Sequence, residues 1–214
     1  MPIVVATRSD HKLEELRQLV GSAEQVDIVS LSDLGLPASP EEESIEAFDS
    51  FEANALAKAR YFCRRTGHAV LADDSGLCVD ALDGAPGVFS KRFSGRTDLT
   101  GLELDLSNNR HLLDSLATVE NCRRDAHYVC VIALVTPRGD KALFRGTVHG
   151  RILERPRGEG GFGYDPLFFV PELDRTFAEV PQVEKNRISH RANAVRAALP
   201  RLRQISSSRT GSPS

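Results

Sequence analysis

The sequence lacks long hydrophobic runs, and no apolar segment approaches the roughly 20 residues that a membrane-spanning helix needs. Its first residues carry neither the basic region nor the apolar core of a signal peptide, so a cytoplasmic protein is expected. A basic excess is also missing, because 27 lysines and arginines face 30 acidic residues for a net charge of -3. Neither a nucleic acid nor a membrane is therefore the expected partner.

Cysteine is scarce, with four in 214 residues, and no two stand at the Cys-x-x-Cys spacing of a zinc ribbon or a redox motif. Reduced thiols are expected. A chain of this length buries about 70% of its unfolded surface, so it needs neither a disulfide nor a structural metal to fold. Residues 1–203 are predicted to form a single bilobal domain, and the polar residues 204–214 a disordered tail.

Short apolar runs alternate with amphipathic segments in the first third of the chain. The runs at residues 3–6 and 69–72 predict buried strands, and residues 10–20 predict a helix with one apolar face. Two β-rich segments, residues 128–135 and 142–148, flank a turn and predict a hairpin. The pattern indicates an α/β fold with a mixed sheet.

Local signals predict the ends of two further helices. Asp49 and Glu52 have the spacing of a capping box at the start of the second helix, and Gly67 provides its stop. The last helix is predicted to begin near Ile188 and to end before Pro200, because proline cannot continue the hydrogen-bond ladder.

Two polar residues fall within the apolar stripe of the second helix. At about 100° per residue, Lys58 lies between the directions of Phe51 and Phe62, and Asn54 lies one turn before it. A lysine there can simply extend its ammonium past the core, but two stacked polar side chains favour a binding site. Lys12 has a similar position on the first helix, where an ordinary helix-start lysine is an equally good interpretation.

The strongest single signal is the pair Asp73 and Asp74, directly after the apolar run at residues 69–72. Carboxylates at the carboxyl end of a strand lie where α/β sheets bind ligands. Neighbouring residues of a strand point to opposite faces, so one aspartate is expected to face the site and the other a supporting partner. Oxygen ligands of this kind suit Mg²⁺. A simple turn capped by these side chains is the alternative.

A glycine-rich segment, residues 160–166, contains Phe162, Tyr164 and Asp165. Glycine lets the backbone approach a ligand, an aromatic ring can stack on a base, and a carboxylate can accept from ring N–H groups. A hairpin tip is the alternative. Three potential cations or donors follow near the last helix: Lys185, His190 and Arg191. Together with the lysines and carboxylates, this inventory describes a nucleotide hydrolase that lacks a P-loop.

Six motifs occur in order: Ala6-Thr7-x-x-x-His11-Lys12-x-x-Glu15-Leu16, Phe51-x-x-Asn54-Ala55-x-x-Lys58-Ala59, Leu71-Ala72-Asp73-Asp74-Ser75-Gly76-Leu77, Gly84-Ala85-Pro86-Gly87, Gly160-Gly161-Phe162-Gly163-Tyr164-Asp165-Pro166 and Glu184-Lys185-x-x-Ile188-Ser189-His190-Arg191. On these motifs the chain resembles, over about residues 3–200, the inosine triphosphate pyrophosphatase family of house-cleaning hydrolases for non-standard purine nucleoside triphosphates. The resemblance implies an elongated mixed sheet in two lobes with flanking helices and a central cleft. It also implies a homodimer and Mg²⁺-dependent cleavage of ITP, dITP or XTP to the monophosphate and pyrophosphate.

The resemblance also implies roles for single residues. Asp74 is the expected catalytic base, and Asp74 and Glu46 are the expected metal ligands. The implied substrate-binding residues are Thr7, Arg8, Ser9, Asp10, His11, Lys12, Lys58, Ser75, Phe162, Gly163, Tyr164, Asp165, Lys185, His190 and Arg191. His190 and Arg191 are expected to donate to the 6-oxo group that distinguishes hypoxanthine from adenine.

One departure from the family pattern affects the first motif. The family usually carries Gly-Asn where this chain has Arg8 and Ser9. Serine keeps one hydrogen-bonding group but loses the second group of an amide, which weakens triphosphate binding unless Arg8 compensates. Two alternatives therefore stay open: a related hydrolase for modified pyrimidine nucleotides, and a catalytically silent nucleotide-binding protein.

Overall fold

The computed structural model describes residues 2–21 and 26–207, apart from the side chain of Glu43. The strands are β1 (Ile3–Val5), β2 (Ile28–Ser30), β3 (Ala69–Val79), β4 (Asp125–Val135), β5 (Lys141–Ile152), β6 (Phe168–Val170) and β7 (Arg175–Thr176). The α-helices are α1 (Asp10–Gly21), α2 (Phe51–Thr66), α3 (Gly101–Ser115), α4 (Gln182–Ile188) and α5 (His190–Ser207). None of the helices in these two ranges is both long and apolar enough to cross a membrane.

The seven strands form one sheet in the order β2-β1-β3-β4-β5-β6-β7. β1 runs parallel to β2 and β3, whereas β6 runs antiparallel to β5 and β7. β4 and β5 are neighbours joined by a short turn, in which the N–H of Thr136 donates to the carbonyl of Asp140. The predicted mixed sheet with flanking helices and the predicted hairpin are confirmed.

The chain divides into two compact units. Unit 1 comprises Met1–Asp74, Cys130–Gly146 and Arg191–Ser214, and unit 2 comprises Ser75–Val129 and Thr147–His190. In unit 1, the sheet packs against α1 and α5 through residues such as Leu16 and Val195, both almost fully buried. The short apolar runs at the start of β1 and β3 supply the other side of this core, as their composition predicts.

Aromatic side chains dominate the core of unit 2. Tyr128 lies 4.6 Å from Phe168 between ring centroids, and Phe168 lies 5.3 Å from Phe177. Tilted pairs at this spacing contribute about 0.5–1.5 kcal/mol each beyond the area they bury. Leu112 and Leu116 close the core at the end of α3. This core also includes Tyr164, one of the predicted site residues.

Two predicted helix ends are wrong. Ser50, not Asp49, caps α2, and its Oγ accepts the N–H of Ala53 at 3.3 Å. The predicted stop of α2 at Gly67 is confirmed, with a φ of 65° that favours glycine.

The end of the last helix also differs from the prediction. α5 begins at His190 and continues through Pro200 to Ser207. Pro200 is exposed, so its missing N–H falls on the solvent side, while Leu202 beyond it is buried in the unit 1 core. Residues 204–207 are therefore helical rather than part of a tail, and residues 208–214 lie outside the described residues.

Candidate active site

Asp73 and Asp74 lie in the middle of β3, not at its end as predicted. β1 pairs with only the first three residues of β3 and ends at Val5, whereas β3 continues for eight residues beyond Leu71 to Val79. The two aspartates therefore follow the end of the neighbouring strand rather than the end of their own. Polar groups from α1 and α2 bind there, where β1 no longer does.

Asp73 is fully buried among cations. Its Oδ2 lies 3.2 Å from the ammonium of Lys12 and 3.3 Å from Nη2 of Arg191, which also forms an ion pair with buried Glu15. Burial opposes ionisation of Asp73, but Lys12, Arg191 and then Lys58 outweigh it and hold its pKa well below the usual range. Asp73 is a permanent anion that orients cations, the supporting partner that strand alternation predicts.

Asp74 has the opposite character. Its Oδ2 accepts from Nδ2 of Asn54 at 3.1 Å, and its side chain is largely buried. Burial raises the pKa of Asp74, although Lys12 and Lys58 act against the rise. Two adjacent carboxylates whose pKa values are shifted in opposite directions are suited to different roles, and Asp74 is the one suited to accept a proton.

Lys58 points into the site rather than out to solvent. Its Nζ donates to the backbone carbonyl of Asp73 at 2.8 Å and forms an ion pair with Glu46. Burial acts to lower the pKa of Lys58, but Glu46 and Asp73 outweigh it, and the pKa is raised. Burial likewise opposes ionisation of Glu46, yet Lys58 and Lys12 keep its pKa below the usual value. Lys58 and Glu46 are therefore both charged.

The donor set around β3 fits a nucleotide-bound Mg²⁺ ion. Three cations, Lys12, Lys58 and Arg191, face four carboxylates, Glu15, Glu46, Asp73 and Asp74, which leaves one negative charge in excess. Over residues 2–21 and 26–207, no group of three or more histidine, cysteine or acidic side chains can hold a metal ion. Mg²⁺ commonly takes only one or two protein carboxylates and completes its shell with phosphate oxygens and water. Glu46 and Asp74 are oxygen donors of that kind.

Unit 2 brings together the predicted residues of the glycine-rich segment. Asp165, which is buried, accepts the N–H of Phe162 at 3.0 Å and the ammonium of Lys185 at 2.6 Å. Lys185 also lies 4.9 Å from the ring centroid of Phe162. The glycines are required here, because a Cβ on Gly161 would stand 2.1 Å from the Asp165 carboxylate and its φ is +73°.

Tyr164 and His190 are held by the same unit. The hydroxyl of Tyr164 donates to the carbonyl of Ser90 at 2.8 Å, and burial raises the pKa of this phenol. His190 is buried and stacks on Tyr128, with 4.7 Å between the rings and 10° between their planes. The structure thus anchors both side chains in the unit 2 core.

The model of the Ham1 family matches residues 3–201. The chain belongs to the Ham1 family. A dITP/XTP pyrophosphatase of Frankia alni is 46% identical to it over 206 residues, which cover 96% of this chain and 98% of that protein. A dITP/XTP pyrophosphatase of Geobacter sulfurreducens is 47% identical over 193 residues, or 90% of this chain and 92% of the relative. The membership predicted from six motifs is confirmed.

Solved structures agree with this assignment. The Ham1 protein of Staphylococcus aureus superposes with a TM-score of 0.80 at 34% identity, covering 95% of this chain and 99% of that one. A crystal structure described as nucleoside-triphosphatase / dITP/XTP pyrophosphatase from Mycobacterium abscessus has a TM-score of 0.72 at 44% identity, covering 94% and 100% of the two chains. The similarity covers 94–95% of this chain, so these structures share the fold described above.

The residues of the first motif lie at and just before the start of α1. Ser9 immediately precedes α1. Its Oγ accepts the N–H of Lys12 at 3.4 Å, and its own N–H donates to Oγ1 of Thr7 at 3.2 Å. Asp10 and His11 are exposed in the first turn. Arg8 forms an ion pair with Glu42 at 2.8 Å instead of joining the Asp73 cluster. The substrate contacts predicted for these residues, including compensation by Arg8, stay predictions.

Arg191, a predicted substrate-binding residue, lies within the buried ion network. Its guanidinium is 1% exposed and binds Glu15 and Asp73, so in this arrangement it does not face a base. Its contact with substrate stays a prediction, as does that of Ser75, which is half-buried and follows Asp74 in β3.

Sequence reasoning missed two residues of α3 that hold the aromatic segment, which is the glycine-rich segment of residues 160–166 with its rings Phe162 and Tyr164. Oδ2 of Asp105 accepts the N–H of Gly163 at 2.8 Å, and Nδ2 of Asn109 donates to the carbonyl of Gly163 at 3.0 Å. Residues four apart lie on one helix face, so a single face of α3 binds both backbone groups of one glycine. The signal that could have identified Asp105 and Asn109 is their polar character at positions of α3 that face inward.

Proposed function

We propose that this chain is a Mg²⁺-dependent pyrophosphatase for non-standard purine nucleoside triphosphates, namely dITP, ITP and XTP. The observation that carries the proposal is the cluster at β3, in which Lys12 contacts Asp73, Lys58 contacts Glu46 and Asn54 contacts Asp74. The similarity to proteins named dITP/XTP pyrophosphatase supports the substrate class.

The proposed reaction is attack of water on the α-phosphorus. A new oxygen–phosphorus bond forms, the bond from the α-phosphorus to the bridging oxygen breaks, and pyrophosphate leaves with that oxygen. Asp74 accepts the proton of the attacking water, and Asn54 holds its largely buried carboxylate in position for that role. Asp73 stays ionised and keeps Lys12 and Arg191 in place.

Lys12 and Lys58 balance the negative charge of the triphosphate. Lys12 contacts Asp73, and Lys58 contacts Glu46. An ammonium has three N–H donors, so each lysine can also bind a phosphate oxygen while it keeps its carboxylate contact. Lys12 also stands in the first turn of α1, where the positive end of the helix dipole favours an anion.

Glu46 and Asp74 are the residues that would hold the metal. A bound Mg²⁺ supplies charge neutralisation at the phosphates and lowers the pKa of the water that attacks. Lys58 holds Glu46, and Asn54 holds Asp74, so both oxygen donors are positioned by residues of α2.

The aromatic segment is the proposed contact for the base. Phe162 offers a ring for stacking, and Lys185 and Asp165 offer a donor and an acceptor that are already paired with each other. A 6-oxo purine presents an acceptor where adenine presents an amino donor, so a fixed donor rejects adenine by leaving polar groups unpaired.

We also propose a homodimer, which sedimentation of the purified chain would test.

Pyrophosphate release from a panel of triphosphates tests the proposal. The full chain is assayed with dITP, ITP, XTP, dATP, dGTP and dUTP, with Mg²⁺ and with excess chelator. Release that is selective for dITP, ITP and XTP and lost on chelation is expected. Preference for a pyrimidine nucleotide would favour the related hydrolase, and binding without release would favour the silent nucleotide-binding protein.

A further inference from the structure

Arg8 directs its guanidinium to a segment between β2 and α2. Its Nε and Nη2 donate to the two oxygens of Glu42 at 2.9 and 2.8 Å, and Nη1 and Nη2 donate to the carbonyls of Leu36 and Pro37 at 2.9 and 3.0 Å. The guanidinium also lies 5.8 Å from the ring centroid of Phe62 in α2. Four of the five N–H groups of an arginine are thereby committed to protein partners.

Glu42 connects this contact to Glu46. Its carboxylate also accepts the N–H of Ser39 at 3.2 Å, and its carbonyl accepts the N–H of Ile45 at 3.3 Å. Glu46 is the next residue, and it pairs with Lys58. The turn that precedes Glu46 therefore starts at Glu42, the residue that Arg8 binds.

Asn54 fixes the other end of the same segment. Its Oδ1 accepts the N–H of Phe48 at 3.0 Å, and its Nδ2 donates to the carbonyl of Phe48 at 3.2 Å and to Asp74 at 3.1 Å. Glu46 therefore lies between two anchors, Arg8 through Glu42 on one side and Asn54 through Phe48 on the other. Only the second anchor touches Asp74 directly.

Arg8 also belongs to the loop that carries Thr7 and leads into the helix of Lys12. The side chains of Arg8 and Glu42 are 34% and 13% exposed, and it is the two-pronged geometry that makes this pair stronger than an ordinary surface pair. We propose that Arg8 is a positioning residue that places Glu46 for the metal through Glu42, and that it is not a phosphate ligand. The inference rests on the proposed function for the role of Glu46.

The test compares Arg8→Gln, Arg8→Lys, Glu42→Gln and the double variant Arg8→Gln/Glu42→Gln. The matched control is Arg17→Gln, which removes an ion pair of 2.7 Å with Asp33 elsewhere in unit 1. For each protein, dITP turnover is measured as a function of Mg²⁺ concentration and of dITP concentration. Thermal unfolding shows that every variant is folded.

All three single variants at Arg8 and Glu42 are expected to raise the Mg²⁺ concentration for half-maximal turnover by about three- to tenfold, with KM for dITP at saturating Mg²⁺ changed by about twofold or less. The double variant should be no worse than the more affected single variant, because both remove one interaction. Arg8→Lys should fail like Arg8→Gln, since an ammonium cannot form the two-pronged contact. The control should match the wild type.

A phosphate ligand would give a different pattern. Arg8→Lys would then retain activity, Arg8→Gln would raise KM for dITP, and Glu42→Gln would be silent. That result would overturn the proposal.

Amide hydrogen exchange separates this proposal from the proposed function. Residues 41–48 should exchange faster in Arg8→Gln and Glu42→Gln than in the wild type or Arg17→Gln, with no nucleotide present. Unchanged exchange in this segment would refute the positioning role. If the wild type hydrolysed no triphosphate, the proposed function would fail, and exchange alone would decide whether Arg8 holds the segment of Glu46.

Discussion

Asp73 and Asp74 are adjacent residues of β3 with different surroundings. Asp73 is surrounded by Lys12 and Arg191, which keep it ionised, whereas burial dominates at Asp74 and raises its pKa. The difference follows from strand geometry, because consecutive side chains point to opposite faces. Asp73 contacts the cations and Asp74 is the proposed base, so substitutions at the two positions should reduce activity in different ways.

Asp74→Asn should abolish turnover while dITP binding persists. The amide keeps the shape but cannot accept the proton, and loss of a general base costs about 10²–10⁴-fold in rate. Asp73→Asn is the informative comparison, because it weakens a buried ion network and should lower Tm. The measurements are kcat with dITP and Mg²⁺, equilibrium binding of dITP, and Tm. Near-normal kcat in Asp74→Asn would show that Asp74 is not the base.

Lys58→Met should lower kcat/KM strongly with little change in Tm. Methionine keeps most of the buried stem and removes the charge that pairs with Glu46 and that is proposed to bind the phosphates. Glu46 is about one-third exposed, so water can solvate it when its partner is lost. Kinetics with dITP and thermal unfolding check the prediction. Normal kinetics with a collapse of stability would mean that Lys58 serves the fold alone.

At the residue scale, the sequence identified the side chains of the candidate site more reliably than it identified the residues that they contact. Helical spacing placed Lys58 and Asn54 on the inner face of α2, because that periodicity is local. Arg8 and Arg191 bind Glu42 and Glu15, which are 34 and 176 residues away. Local sequence patterns carry no information about such distant contacts. The substrate roles of these two arginines were therefore predicted without the knowledge that glutamates already bind them.

At the scale of elements, α3 fixes the conformation of the aromatic segment. Asp105 and Asn109 bind the N–H and the carbonyl of Gly163, which has a φ of +61°. The neighbouring Asn108 binds the backbone of Lys91 and Ser94 instead. Two adjacent asparagines of one helix thus hold different segments, which provides a matched pair for mutagenesis.

Asn109→Ala should reduce the preference for dITP over dATP. Without the amide donor, the carbonyl of Gly163 is left underbonded at a cost of about 1–3 kcal/mol, and the segment that carries Phe162 shifts. Asn108→Ala should lower Tm by about as much as Asn109→Ala does, and it should leave the preference for dITP over dATP unchanged. The measurement is kcat/KM for both nucleotides in each variant. Equal preference in all three proteins would exclude a role for α3 in base selection.

Element types were easier to predict than element ends. The apolar runs located β1 and the start of β3, because a core-facing run is a local signal. Asp73 and Asp74 lie beyond the part of β3 that pairs with β1, but they do not lie at the end of β3. β3 continues past them because β4 is its neighbour on the other side. Pro200 did not end α5, because packing of Leu202 beyond it outweighs one lost hydrogen bond on the exposed side. Both errors arise where tertiary packing overrides a local rule.

At the scale of the whole molecule, a buried ion network links three distant parts of the chain within unit 1. Arg191 of α5 binds Glu15 of α1 and Asp73 of β3. Removal of one member leaves buried charges without compensation, which is costly. The mixed sheet was predictable from alternating strands and helices, but this network depends on chain segments that meet only in the folded state.

Arg191→Ala should destabilise the protein by about 3–5 kcal/mol, because Glu15 and Asp73 lose their shared counter-ion. Turnover of dITP and dATP should then fall by the same factor, as expected for a residue that acts through Asp73. Denaturant unfolding and kcat/KM for both nucleotides are the measurements. A selective loss of dITP turnover with unchanged stability would restore the predicted contact between Arg191 and the base.

Hydrolysis of dITP in ¹⁸O-labelled water tests the central claim most directly. The claim is that Asp74 activates water for attack on the α-phosphorus, so the label should appear in deoxyinosine monophosphate, and pyrophosphate should be unlabelled. Mass spectrometry of both products after a single turnover, with Asp74→Asn as the inactive control, gives the position of the label. Label in pyrophosphate, or formation of deoxyinosine diphosphate and inorganic phosphate, would contradict the account.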